Sequence, residues 1–187
     1  MTKLILIRHG EPDYSYVTER GFIGHGRDLA GLSPKGIEQA RAASKNEALN
    51  GAKLIVSSPY TRALQTAAII SKETKLDINI ELDLHEWLPD LTYRYNSDDM
   101  VKLAGKECIA CKGDYSGHDK KNWEKLSTVA DRAFKSLEKY LCYDKIIVVT
   151  HGIVMRQFSF RLDISHCGII EVDFDKDYKW LGWVEAK

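Results

Sequence analysis

The sequence predicts a three-layer α/β/α sandwich whose sheet is mainly parallel, with an antiparallel edge strand. Two observations carry this. Leu4-Ile5-Leu6-Ile7, Lys53-Leu54-Ile55-Val56 and Ile146-Ile147-Val148-Val149 lack the alternation of a half-exposed strand and read as strands buried on both faces. Each is followed by a segment of helical period, the arrangement that joins parallel strands by crossovers. With 187 residues, the chain can fill one sizeable core and is read as one domain from 1 to 187.

The first strand runs straight into Arg8-His9-Gly10-Glu11. Ser33-Pro34 opens the first helix, with Ser as N-cap and Pro in the first turn, and the pattern continues to about Leu49. Ser58-Pro59 opens a second helix by the same device, running to about Glu73. From about Glu124 to Leu141, Leu126, Val129, Ala130, Ala133, Leu137 and Leu141 form one apolar stripe. A fourth helix is expected from Gly152 to about Phe160. Ile169 to Phe174 and Lys179 to Val184 read as a closing pair of strands around an Asp175-Lys176-Asp177 turn, with Trp180 and Trp183 on an edge open to a second subunit. Residues 87–122 have no strong period, and their length marks a substrate-facing cap.

Composition excludes several functions. No apolar run approaches the roughly 18 residues of a membrane span. The N-terminal run stops at Arg8, too short for a secretory signal, so a cytoplasmic protein without membrane contact is expected. Lys plus Arg and Asp plus Glu each total 27, so net charge gives nucleic acid no general attraction. Of the four cysteines only Cys108 and Cys111 are spaced as a pair. One C-x-x-C is weak ground for zinc, and the six histidines show no metal-ligand spacing, so no metal is expected.

Three short motifs sit where buried strands end: Arg8-His9-Gly10-Glu11, Ser57-Ser58-Pro59 with Arg62 one turn into the helix, and Thr150-His151-Gly152. In open α/β sheets the ligand crevice lies beyond the carboxyl ends of the strands, so two arginines and two histidines converge there. Guanidinium groups hold phosphate oxygens in pairs, and helix starts near Ser58 and Gly152 add N–H donors. The cations disfavour imidazolium and keep His9 neutral and nucleophilic. Such an imidazole can take a phosphoryl group, with His151 donating to the transferring oxygens. Ser58 reads as an N-cap rather than a nucleophile, and His85, His118 and His166 as ordinary loop or edge residues.

The four segments around these motifs resemble the histidine phosphatase superfamily, in the branch that includes the cofactor-dependent phosphoglycerate mutases. Leu6-Ile7-Arg8-His9-Gly10-Glu11 is similar to the signature around the phosphorylated histidine. Leu32 to Ala40, Ser57 to Ala67 and Val149 to Gly152 resemble the segments that follow it in the family. The resemblance implies a glutamate acid in a Leu-x-Glu context, carried here by Leu84-His85-Glu86, with Asp83 and Glu81 as fallbacks because Trp87-Leu88-Pro89 lacks the family's next glycine. It also implies a phosphate contact from an asparagine six residues after the nucleophile, where this chain has Ser15. The roles of Glu11 and of His25, in Gly24-His25-Gly26, stay open.

The expected reaction is hydrolysis of a small-molecule phosphate monoester through phosphohistidine on His9, without a cofactor. Arg8, Arg62, His151, Gly152 and Ser15 bind phosphate, and Glu86 serves as general acid and base. A mutase is the alternative. It must shield its phosphoenzyme from water, and the short cap and the three residues after Val184 offer little lid. A non-catalytic phospholigand-binding module is the alternative of another class, disfavoured because the whole set of residues is present.

Overall fold

A computed structural model describes residues 1–116, 121–159, 161, 163–180 and 182. Its main sheet has five strands: β1 (Thr2–Arg8), β4 (Ile55–Ser57), β5 (Ile78–Ile80), β6 (Lys145–Thr150) and β7 (Ile169–Phe174). They lie in the order β5-β4-β6-β1-β7. The first four are parallel neighbours, and β7 closes the edge antiparallel to β1. A small ribbon pairs β2 (Pro12–Asp13) with β3 (Gly31–Leu32).

The apolar runs are continuous because both faces of the sheet are covered. Leu4, Leu6, Val56, Ile146 and Val148 pack on one side with Val129, Ala133 and Leu137 of α5 (Leu126–Glu138) and Val154 and Met155 of α6 (Gly152–Arg156). Ile5, Ile7, Ile55, Ile147 and Val149 pack on the other side with Ala63, Ala67 and Ile70 of α3 (Thr61–Thr74). The expected mainly parallel sheet with an antiparallel edge and helices on both faces is therefore what the chain forms.

Several boundaries differ from expectation. Ser33 does cap α2 (Pro34–Ala43), its hydroxyl accepting from Gly36 N–H at 3.0 Å. The helix stops at Ala43 and a separate 3-10 turn, capped by Asn46, covers Glu47–Leu49. α3 starts at Thr61 with Tyr60 as its N-cap, so Ser58 is not the cap. Strand β5 was not anticipated, being short and half exposed. Gly152 opens only a short helix, and the expected Phe160 end lies outside the described residues. Lys179 and Trp180 are not in a strand; Trp180 packs on the core and donates through Nε1 to Gln157 at 2.7 Å. Trp183 and Val184 lie outside the described residues.

The 87–122 stretch contains α4 (Asp98–Ala110), capped by Ser97, whose hydroxyl accepts from Met100 N–H. Cys108 and Cys111 sit at its end as free thiols. The stretch leaves and rejoins the body at one neck. Glu124 N–H bonds Leu88 O at 2.9 Å, Leu91 N–H bonds Asn122 O at 2.6 Å, and Trp87 Nε1 donates to Glu124 O at 2.6 Å. Among the described residues no helix is long and apolar enough to cross a membrane.

Two glycines fix the loop after β1. A Cβ at Gly10 would lie 2.5 Å from Gly36 O, and one at Gly36 would lie 2.1 Å from Glu11 O. Glu11 ties the same loop to α2 through Lys35 at 2.7 Å and Ser33 at 3.1 Å. We therefore expect Gly36→Ala to cost about 1–3 kcal/mol by overpacking against backbone. Gly105→Ala in α4, where the added Cβ meets open space, should instead add about 0.5–1 kcal/mol. Urea midpoints of the two variants check both signs.

Candidate active site

The register of the sheet brings three loops to one edge. Arg8 stands opposite Thr150, and Ser57 opposite Val149, so β1, β4 and β6 end side by side. His9 N–H bonds Thr150 O at 3.0 Å and Ser58 N–H bonds Val149 O at 2.9 Å, carrying the alignment one residue past the strands. The rings of His9 and His151 then meet with centroids 5.0 Å apart.

His9 is buried, and its Nδ1 lies 2.7 Å from Gly10 O. A carbonyl only accepts, so the proton sits on Nδ1 and the lone pair is left on Nε2. Arg62 Nε donates to that Nε2 at 3.3 Å. Burial, then the charges of Arg62 and Arg8, hold the His9 pKa well below the ordinary histidine value. For Arg62, burial opposes its charge, but Tyr14, Asp28 and Glu86 outweigh burial and raise its pKa. Arg62 Nη1 also donates to Asp28 at 3.2 Å.

His151 is completely buried, with its pKa pushed well down by burial and then by Arg62. Its Nε2 shares a 2.7 Å hydrogen bond with Ser58 Oγ, the work that serine does in place of capping a helix. Arg8 donates through Nη1 to Ile164 O at 2.5 Å. Arg8 Nε and His151 Nδ1 are buried without a partner among the described residues. Unpaired buried polar atoms cost about 1–3 kcal/mol each, and both border His9. A Cβ at Gly152 would lie 3.6 Å from Arg8 Nε, so this backbone passes close to the guanidinium.

Glu86 lines a cavity of about 270 Å3 together with Arg62, Tyr14 and Trp87. Burial raises its pKa, against the pull of Trp87 N–H, Arg62, Ile153 N–H and Arg8. Of the fallback carboxylates, Glu81 is held by Lys139 and Tyr140, and Asp83 is exposed. The Glu86 segment is anchored from α5. Arg132 donates to the carbonyls of Asp83, His85 and Glu86 and is itself held by Glu124, with Nε to Oε1 at 2.7 Å. Glu124 also accepts from Leu88 N–H at 3.2 Å.

Ser15 is exposed at the start of α1 (Ser15–Glu19), its N–H bonded to Asp13, and the cavity is lined instead by its neighbour Tyr14. His25 is exposed and touches Asp28 at 3.4 Å and Tyr60 OH at 3.2 Å. His166 is no ordinary loop residue, because its ring lies 5.6 Å from that of His9. His85 stacks near Tyr60, at 6.1 Å, and His118 lies outside the described residues. Sequence reasoning singles out none of Tyr14, Arg27, Asp28 and Tyr60, which line the same cavity together with Tyr95 of the 87–122 stretch read as a cap. No short motif marks them. Arg27 and Asp28 come from the 3-10 turn Gly24–Leu29, Tyr14 and Tyr60 from the starts of α1 and α3, and Tyr95 from the 87–122 stretch, where its carbonyl accepts from Gly24 N–H at 2.8 Å.

The family model for the histidine phosphatase superfamily (branch 1) matches residues 4–180. The chain is 26% identical over 200 residues to the probable phosphoglycerate mutase GpmB of Enterobacter sp. (strain 638), covering 98% of this chain and 91% of that protein. Among solved structures it resembles a mycobacterial glucosyl-3-phosphoglycerate phosphatase with VO3. The TM-score is 0.71 at 18% identity, over 98% of this chain and 97% of the other. It also resembles the phosphoserine phosphatase of Entamoeba histolytica in complex with 3-phosphoglyceric acid. There the TM-score is 0.65 at 22% identity, over 91% and 90%. At these identities the two structures speak to the fold.

The buried Arg132–Glu124 pair generates one expectation. Arg132→Met leaves Glu124 buried without its cation and should cost about 3–5 kcal/mol. The double variant with Glu124→Leu should lose less than Arg132→Met alone, as read from a denaturant double-mutant cycle.

Proposed function

The chain belongs to branch 1 of the histidine phosphatase superfamily, and on that premise we propose that it hydrolyses a small phosphate monoester through a phosphohistidine on His9. The observation that carries this reading is the His9 imidazole, with its proton fixed on Nδ1 by Gly10 O and its Nε2 lone pair beside the Arg62 guanidinium. Nε2 attacks phosphorus, the P–N bond forms, and the P–O bond to the alcohol breaks. Arg8, Arg62, His151 and the Gly152 backbone hold the phosphoryl oxygens, where preorganised donors act without reorganising. Glu86, whose pKa burial raises, gives its proton to the departing oxygen. A water then attacks phosphorus, gives a proton to the Glu86 carboxylate, and the P–N bond breaks to release phosphate.

The cavity beside Glu86 takes the alcohol, and residues 87–122 act as its cap within one domain of 1–187. Tyr14 lines that cavity where Ser15 does not, so the phosphate contact expected of Ser15 passes to other donors. A small-molecule substrate fits both the cavity size and the phosphoserine and glucosyl-3-phosphoglycerate named for the similar structures.

The name of the Enterobacter relative favours a second reading, a mutase that returns the group to its substrate. Supplying a bisphosphorylated glycerate with 3-phosphoglycerate separates the two. We expect net phosphate release, and isomerisation without release would establish the mutase.

His9→Ala should abolish turnover while vanadate still binds. Wild-type protein quenched during turnover should carry one phosphoryl group on His9 by mass spectrometry. Hydrolysis retained by the variant would remove the covalent route.

Glu86→Gln should slow alkyl phosphates by about two to four orders of magnitude and aryl phosphates far less, because aryl oxides leave without a proton. The pH profile follows from the shifts. The acid limb, from protonation of His9, falls below the ordinary histidine value of about 6.5. The alkaline limb, from ionisation of Glu86, lies above the ordinary carboxylate value and disappears in Glu86→Gln.

A further inference from the structure

The cavity that begins at Arg62 and Glu86 carries information about the alcohol half of the substrate. Its walls are mainly apolar and ring-bearing: Tyr14, Tyr60, Trp87, Pro89, Tyr95 and Val101. Two of these rings flank the phosphate end, since the Arg62 guanidinium carbon lies 5.9 Å from the Tyr14 ring centre and 5.0 Å from that of Tyr60. An alcohol leaving from phosphorus at His9 therefore departs between aromatic side chains.

The charges around this space are already matched to one another. Buried Arg27 spends both ends of its guanidinium on protein, with Nη1 to Asn96 O at 3.0 Å and Nη2 to Asp98 at 2.5 Å. Asp28 accepts from Arg62 at 3.2 Å and, on its other oxygen, from Tyr95 OH at 3.2 Å. Lys102, at the open side, is 71% exposed and lies 3.8 Å from Asp99. A carboxylate on the alcohol would find Arg27 and Arg62 already paired with Asp98 and Asp28 and only the exposed Lys102 to meet it, and ion pairs in solvent add little. A cation would have to compete with Arg27 and Arg62 for the same two aspartates.

We propose that the leaving group is an uncharged alcohol that carries a flat ring, of aryl or heterocyclic class, and that the cavity prefers it to a phosphorylated glycerate. The volume of about 270 Å3 suits one small ring system, and the aromatic walls supply stacking and edge contacts. This deepens the hydrolase reading and rests on it for the position of the phosphate. It also sets this cavity apart from a site built to hold an acid substrate.

The test is calorimetric binding of three esters to full-length His9→Ala, which separates recognition from turnover: 2-phenylethyl phosphate, phosphocholine and 3-phosphoglycerate. The phenylethyl ester should bind at least about tenfold more tightly than either charged ester. Equal or tighter binding of 3-phosphoglycerate or phosphocholine overturns the proposal. In Val101→Arg, made in the same background, the added guanidinium should raise 3-phosphoglycerate affinity at least about fivefold and lower that of the phenylethyl ester. No gain for 3-phosphoglycerate in a folded variant counts against charge as the discriminator. Turnover of p-nitrophenyl phosphate by the wild-type protein reports separately on the hydrolase reading. Its failure alongside the predicted binding order removes the reaction and leaves the ligand class standing.

Discussion

One hydrogen bond sets the chemistry of the site. Because Nδ1–H of His9 donates a hydrogen bond to the carbonyl of Gly10, the ring presents its lone pair at Nε2, toward Arg62. Burial and two neighbouring cations then keep the ring uncharged. A protonated ring could not accept from Arg62, so the arginine and the histidine each need the other in its present state. The backbone that supplies the carbonyl is fixed in turn by the contact of Gly10 with Gly36, where no side chain fits. The electronic state of one nitrogen thus depends on how closely a loop lies on a helix.

The sheet provides the rest of the alignment. Parallel pairing without offset between the ends of β1 and β6 delivers Arg8, His9 and His151 to one place, and β4 adds Ser58 and the helix that bears Arg62. Buried strands cannot slip, because a one-residue shift would exchange the two apolar faces. The core therefore holds the site in register as well as holding the chain together.

Much of this was legible in the sequence, for a physical reason. Four-residue apolar runs ending in Arg-His-Gly or Thr-His-Gly specify both a buried strand and what lies beyond its end, and the structure brings Arg8, His9, Arg62 and His151 together there. Ser58 shows the limit, since Ser-Pro reads as a helix cap whether or not the hydroxyl is claimed by a histidine. Helix α4 escaped because Met100, Leu103 and Ile109 face solvent and blur its stripe, although Ser97-Asp98-Asp99 carried a start signal. Nothing local marks Tyr14, Asp28 and Tyr60 as cavity residues, and Tyr95 is marked only as part of the 87–122 cap. They meet only after a 3-10 turn and a distant loop have been packed together, as have His166 and His9, joined by the bond of Cys167 N–H to Arg8 O at 3.0 Å. Convergence of that kind is a property of the tertiary fold and leaves no spacing to read.

The neck formed by residues 87–91 and 122–124 separates two kinds of change. The contacts that anchor the Glu86 segment come from Arg132 of α5, held in turn by Glu124 at the neck itself. The excursion beyond it, α4 included, supplies walls to the cavity without carrying the carboxyl group. Length and sequence can drift there while the Glu86 carboxyl group keeps its place, so the fold lets the cavity walls vary at one locus and the buried histidines and arginines persist at another.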